Sequence, residues 1–275
     1  YEVQKEQTVY AYHPYSENIR DMYLDLDVTD TDEVLRFGEM NRPDIIINCS
    51  GMTDISSCEE NPSQAFKVNA LGARNLAIVA AKMQAKMVQL STDDVFDGKS
   101  TEPYTEFDIT NPGTVYGKSK LAGENYVKEF TTKHFIVRST WVYGKGQNFI
   151  NGFLKKVDAG EQLSIASDQF GSPTSANELA RFLLHLVHTS EYGTYHATNK
   201  GVCSRYAFAQ EILKMTGKTA SMQPVPTVMS DFSKVRPAYA VLDNFIMSMV
   251  PIYDFPDWQD SLREYLEERG LYHAE

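Results

Sequence analysis

The chain has 275 residues, 42% of them hydrophobic, which suits one large buried core or a large domain with a smaller one attached. Its net charge of −11 argues against nucleic acid or an anionic membrane as the main partner, because phosphate arrays demand an excess of Lys and Arg; a local basic pocket for one nucleotide is still compatible. Cys49, Cys58 and Cys203 lack metal-ligand spacing and read as buried thiols in a reducing compartment, while the absence of a long apolar run or a signal peptide makes the cytoplasm the default location.

The opening "YEVQKEQTVYAYHPYS" reads as the tail of a first helix followed by "TVYAYH", the second strand of its sheet. The first glycine is Gly38, so no Gly-rich dinucleotide turn precedes that strand. A first strand, its turn and most of a first helix are therefore expected upstream of Tyr1, since that strand lies in mid-sheet and its loss leaves backbone groups unpaired. Next, "PDIIINCSG" is a short apolar, β-branched run that suits a strand covered on both faces, ending in small residues where a ligand can approach. "NPSQAFKVNALGARNLAIVAAKMQ" reads as one helix with Pro62 near its start, and "KMVQLST" as another strand.

The rhythm repeats with a loop, a helix over "TVYGKSKLAGENYVKEF" and a strand at "HFIVRSTW". Strands alternating with helices predict a Rossmann-like, doubly wound parallel α/β sheet. Beyond about Tyr143 the pattern loosens into the helices "NFINGFLKKVDAG", "NELARFLLHLVH" and "RYAFAQEILKMTG" and the strands "QLSIAS" and "GTYHAT". This division predicts a dinucleotide-binding domain over 1–145 and a smaller α/β substrate-binding lobe over 146–275, partly interleaved with the first. "PVPTVMSDFSKVRP" reads as a long loop.

Tyr116 and Lys120, four residues apart, share one helical face, and an ammonium ion that favours the phenolate makes a tyrosine a better acid–base catalyst near neutrality. Spacing alone favours the blander outcome, an aromatic packed under a lysine stem. Context strengthens the pair: "LSTDDVF" puts Ser91, Thr92 and Asp93 where a parallel strand ends, the usual ligand side of an open α/β sheet. A polar turn with capping side chains is the even alternative there. Arg236, in "VRP", has the fork geometry for a pyrophosphate, with a surface salt bridge nearly as good a reading. The histidines show no ligand spacing, and no metal site is expected.

In order, "INCSGMTD", "VNALGARNLA", "LSTDDVFDG", "YGKSKLAGE", "VRSTWVYGKG", "DQFGSPT", "GTYHATNKG" and "VRPAYAVLDN" resemble the extended short-chain dehydrogenase/reductases, and within them the dTDP-4-dehydrorhamnose reductase family. The resemblance runs from about Asp25 to the C-terminal helix. It implies NADPH or NADH as cofactor and a dTDP-linked ketosugar as substrate, with a homodimer compatible. Tyr116 becomes the proton donor, Lys120 the holder of the nicotinamide ribose, and Thr92 and Asp93 the ketosugar contacts, with Trp141 covering the sugar ring. Ser50, Gly51 and Thr53 match cofactor contacts, and Asp27 and Val28 match positions near the adenine.

Two departures accompany the match. The Gly-rich turn is missing, and Asp94 stands where the family carries tyrosine, so an acidic group is expected to repel an anionic sugar nucleotide. The leading expectation is a reductase taking dTDP-4-dehydro-L-rhamnose to dTDP-L-rhamnose. The alternatives are a non-catalytic nucleotide-sugar or regulatory subunit on the same fold, and another nucleotide-sugar epimerase or dehydratase.

Overall fold

The computed structural model describes residues 8–11, 22–229 and 237–273. The chain forms two compact units, each discontinuous in sequence. One comprises the residues up to Ser91, Thr114–Val137 and Ser190–Gly193; the other comprises Thr92–Gly113, Arg138–Thr189 and the residues from Thr194.

In the first unit, β1 (Thr8–Ala11) and β2 (Met22–Asp25) pair antiparallel, Thr8 opposite Asp25. The sequence places "TVYAYH" in the parallel sheet, and the structure instead joins it to its neighbour in the chain. Segments this close in sequence pair antiparallel readily, whereas parallel pairing needs a crossover of about a dozen residues or more. α1 (Thr31–Asn41) starts where Asp30 accepts from the Glu33 N–H at 2.9 Å, and stops at Arg42 in the left-handed region.

β3 (Ile45–Asn48) and β4 (Lys86–Thr92) pair parallel, Ile45 opposite Lys86 and Asn48 opposite Gln89, with β5 (His134–Ser139) on the other side of β4. Helical segments cross from β3 to β4 and from β4 to β5, the βαβ arrangement that the alternation predicts. The first crossing is α2 (Ile55–Glu60), α3 (Pro62–Phe66), a π-helical turn (Lys67–Gly72) and α4 (Ala73–Met83). The single helix expected from Pro62 onward is thus interrupted by an i→i+5 turn, a rare geometry concentrated at functional sites. The second crossing carries α5 (Val115–Phe130), capped by Thr114, whose Oγ1 accepts from the Gly117 N–H at 3.0 Å.

Leu26, Val28, Val34, Leu76, Val79, Met87, Val127 and Ile136 form the core of this unit. β3 departs from the expectation of burial on both faces. Ile46 packs against the core, but Ile45 and Ile47 are 37% and 41% exposed, because alternation along a strand sends them to the opposite face. Cys49, just beyond, is exposed and corrects the reading of three buried thiols; Cys58 and Cys203 are buried.

The second unit contains β6 (Val142–Tyr143), α6 (Phe149–Asp158), β7 (Leu163–Ala166), β8 (Phe170–Gly171), β9 (Thr174–Ser175), α7 (Ala176–Val187) and β10 (Gly193–His196). β11 (Cys203–Ser204), α8 (Arg205–Thr216), β12 (Met222–Val225), β13 (Tyr239–Ala240), α9 (Phe245–Met249) and α10 (Trp258–Glu268) follow. Its sheets are small: β6 with β9, β7 with β12, and β8 between β11 and β13. The expected long loop after "SMQ" begins instead as β12, whose Pro224 is tolerated because the pair β7–β12 has only edge strands.

Phe153, Leu163, Ile165, Phe208, Ile212, Trp258 and Leu262 fill the core of this unit. Gly217 ends α8 in the left-handed conformation at φ 62°, as its place in the sequence predicts. Among the described residues no helix is long and apolar enough to cross a membrane.

Candidate active site

In the first unit the helix α5 carries the pair. Tyr116 and Lys120 are 8% and 5% exposed, so both side chains are buried. Tyr116 packs with Ile55, Cys58 and Ala65, and the Lys120 Nζ donates to the Leu90 carbonyl at the end of β4 at 2.6 Å. Burial pushes the Lys120 ammonium down from its ordinary 10.5 to about 8, against the opposing pull of Glu124 and Cys49.

The segment after β3 lies beside that ammonium. A Cβ on Gly51 would sit 3.1 Å from Asn69 Oδ1, 3.8 Å from Lys120 Nζ and 3.9 Å from Thr53 Cγ2. Gly51 therefore leaves a space bounded by an amide and a cation. Ser50 is fixed next to it: its N–H and Oγ both donate to Asn48 Oδ1, at 3.0 and 2.6 Å. Asn48 in turn bonds Gln89 of β4 at 2.7 Å, continuing the register through side chains.

Asn69, on the π-helical turn, is a site residue to which the sequence reading gave no role. Its amide accepts from the Met52 N–H at 2.8 Å and donates to the Met52 carbonyl and to Ser119 Oγ, both at 2.9 Å. Ser119 Oγ donates onward to the Tyr116 carbonyl at 2.8 Å. One side chain thus joins the loop after β3 to the turn of α5 that bears Tyr116. The available signal was a polar residue inside the apolar helical run "KVNALG".

Asp27 and Val28 occupy the turn before α1. Asp27 Oδ1 takes the N–H and hydroxyl of Thr29, at 2.8 and 2.7 Å, while Val28 is 1% exposed and its carbonyl receives the Asn75 amide at 3.0 Å. The Val28 side chain belongs to the core, and Gly72 owes its lack of a side chain to it: a Cβ there would lie 2.8 Å from Val28 Cγ2.

In the second unit, Thr92 Oγ1 donates to Asp93 Oδ1 at 2.9 Å and Thr140 Oγ1 donates to Asp93 Oδ2 at 2.8 Å. Asp93 therefore ties the turn after β4 to the residue preceding Trp141. Trp141 adopts φ 47°, a left-handed conformation that costs a non-glycine residue energy and is concentrated at functional sites. Its ring is held by the Arg205 guanidinium, 3.4 Å from the centroid, and by Gly171, where a Cβ would come within 2.6 Å of Cε2.

Asp94, the departure from the family pattern, is 1% exposed, with both carboxylate oxygens buried. His196 is buried, and burial beside Arg138 lowers its pKa to about 3; Nδ1 lies 3.0 and 3.1 Å from the Tyr104 and Asp243 carbonyls. Arg236 lies outside the described residues. A cavity of about 350 Å³ in this unit is lined by Thr198, Asn199, Lys200, Asp243 and Phe255 among others, and by none of the expected site residues.

Within the first unit the structure thus gathers Ser50, Gly51, Thr53 and Lys120, with Tyr116 one turn earlier on α5; within the second it links Thr92, Asp93 and the Thr140–Trp141 step. A buried tyrosine and lysine at i and i+4 on a crossover helix, with the lysine bonded to a parallel strand, match the helix-borne pair that the resemblance to the short-chain dehydrogenase/reductases implies.

The family model described as the RmlD substrate binding domain matches residues 2–270. A dTDP-4-dehydrorhamnose reductase from Clostridium acetobutylicum is 41% identical, with a TM-score of 0.87, over 90% of this chain and 88% of that one. The dTDP-4-dehydrorhamnose reductase of Bacillus anthracis, solved in complex with NADP, is 37% identical with a TM-score of 0.86, over 88% and 87% of the two chains. The spore coat polysaccharide biosynthesis protein SpsK of Bacillus subtilis is 38% identical over 83% of this chain and 81% of that protein. The chain belongs to the RmlD substrate binding domain family.

Proposed function

We propose that the protein is a reductase of a nucleotide-linked 4-ketosugar, converting dTDP-4-dehydro-L-rhamnose to dTDP-L-rhamnose with NADPH or NADH. The observation that carries this reading is the seating of Lys120: a buried ammonium bonded to Leu90 O and adjoining the side-chain-free space at Gly51. The names of the two reductase relatives, one holding NADP, point to the same chemistry.

The donor set fits a nicotinamide ribose, whose hydroxyls need hydrogen-bonding partners beside backbone free of side chains. Lys120, Ser50, Gly51 and Thr53 would hold it, and Asp27 and Val28 would meet the adenine end. When bound, the nicotinamide supplies the hydride to C4 of the sugar. Tyr116 then gives its phenolic proton to the alkoxide oxygen forming there, and Lys120 stabilises the phenolate left behind. Thr92, whose hydroxyl donates to Asp93 in the absence of substrate, would turn that proton to the ketone oxygen, and Trp141 would cover the sugar ring. Arg236 would pair with the pyrophosphate. A reducing cytoplasm suits the free thiols of Cys49, Cys58 and Cys203.

A non-catalytic subunit on this fold is the alternative reading. The deciding experiment is Tyr116→Phe, which keeps the ring in its packing and removes the proton. Turnover should fall roughly 100-fold or more, with cofactor affinity nearly unchanged. Near-normal turnover would reject the assignment of Tyr116 as the acid.

A further inference from the structure

We propose that Glu124 is a positioning residue for this chemistry: a fully buried carboxylate one helical turn beyond Lys120, clipped to Ser91, that holds α5 in register with the end of β4 and balances the lysine's charge. The inference rests on the reading of Tyr116 and Lys120 as the reacting pair.

The geometry is a double tether between one helix and one strand end. Lys120 Nζ donates to the carbonyl of Leu90 at 2.6 Å, and the next residue, Ser91, donates its hydroxyl to Glu124 Oε1 at 2.5 Å. Lys120 and Glu124 are i and i+4 on α5, so two consecutive strand residues are gripped by two consecutive turns of the helix. Glu124 is 0% exposed, and its other oxygen lies 3.8 Å from the half-exposed Lys128 ammonium. Burying a carboxylate is costly, and a structural clip between helix and strand needs only a neutral hydroxyl or amide. The negative charge matters because Lys120 is buried and would otherwise lose its proton more easily.

Among the described residues, the charged and titratable groups acting on Lys120 are Glu124 on α5 itself and Cys49 from the segment after β3, with Lys128 at 3.8 Å from Glu124 on the solvent side. Burial lowers the lysine's pKa to about 8, and Glu124 is the largest influence opposing that fall. Protonated Lys120 is the form that stabilises the Tyr116 phenolate, so activity should decline on the alkaline side as it titrates.

The test compares wild type, Glu124→Gln and Glu124→Asp with dTDP-4-dehydro-L-rhamnose and NADPH. Glu124→Gln keeps an acceptor for Ser91 and removes only charge, so the alkaline limb of kcat should move to lower pH by roughly half a unit to one unit. Glu124→Asp, which keeps the charge, should leave the limb at its wild-type position. The Lys120 Nζ titration, followed by NMR with labelled lysine, should move with the limb in Glu124→Gln. A limb that stays put in Glu124→Gln overturns the inference, whether or not the NMR titration moves. The underlying assignment is checked separately by Lys120→Met: if that variant turns over normally, the reading of the pair fails, while an NMR shift in Glu124→Gln would still establish the coupling of the two charges. Should Glu124→Gln fail to fold, Ser91→Ala removes the clip and no charge. It should lower kcat roughly 3- to 10-fold with the limb unmoved, and wild-type kcat in it would overturn the positioning role.

Discussion

Trp141 shows how a single residue can be constrained from several directions. Its backbone is in the left-handed region, a guanidinium lies on its ring, and the ring occupies the space where the side chain of residue 171 would be. In Gly171→Ala, the new methyl would meet Cε2 at 2.6 Å and two further ring atoms at 3.0 Å, so the indole must move. The expected cost is about 1–3 kcal/mol of stability, measured by urea unfolding. Because Trp141 is proposed to cover the sugar, the KM for the sugar nucleotide should rise more than that for the cofactor. Equal KM values in the variant and the wild type would remove Trp141 from the substrate site. Asn69 makes the complementary point, since its amide uses both ends on the backbone of Met52. A buried amide so fully used specifies one arrangement of the loop, because any other leaves a polar group without a partner.

At the scale of elements, α5 is the organising piece. It approaches the π-helical turn so closely that a Cβ on Gly123 would lie 2.4 Å from the Asn69 backbone oxygen. Backbone cannot rotate away as a side chain can, so Gly123→Ala must separate the two elements. A loss of about 2 kcal/mol or more is expected, although alanine is intrinsically the better helix former by roughly 1 kcal/mol. Gly152→Ala in α6 is the control, because a Cβ there meets nothing within 4 Å. That change should stabilise the protein by about 0.5–1 kcal/mol. If both variants shift the urea midpoint in the same direction, close packing at Gly123 is not what selects glycine. The π-helical turn follows from the same contact, since it places Asn69 against the loop after β3 and α5 together.

For the whole molecule, the lysine at the centre of the proposed site is a cost to stability. Its pKa is lowered by burial from 10.5 to about 8, so between those values the native state binds fewer protons than the unfolded chain. The penalty for burying the charge is therefore complete below about pH 8 and fades as pH rises through the window to 10.5. Lys120→Met removes the titration while filling similar space. Relative to wild type, its urea midpoint should be higher at about pH 7 than at about pH 10, with the difference between the two proteins narrowing as pH rises. A difference that is constant across this range would show that Lys120 is not held at a depressed pKa. On the proposed role, function and stability compete at the same atom.

The local pattern by itself determined much of this protein. Alternation of β-branched runs with amphipathic ones predicted the parallel β3–β4 pair and its helical crossovers, and the i, i+4 spacing put Tyr116 and Lys120 on one face of α5. Those features depend on neighbours within a turn or a strand, and they are written in neighbouring residues. Only the tertiary structure decided that Lys120 is buried on Leu90 O, that Asn69 and Glu124 belong with it, that Asp94 faces inward, and that β1 pairs antiparallel with β2. Each of these depends on which distant residue supplies a hydrogen-bond partner or excludes water. Asn69 meets Ser119 across 50 positions and Ser91 meets Glu124 across 33, separations at which no periodicity in the chain reports a contact.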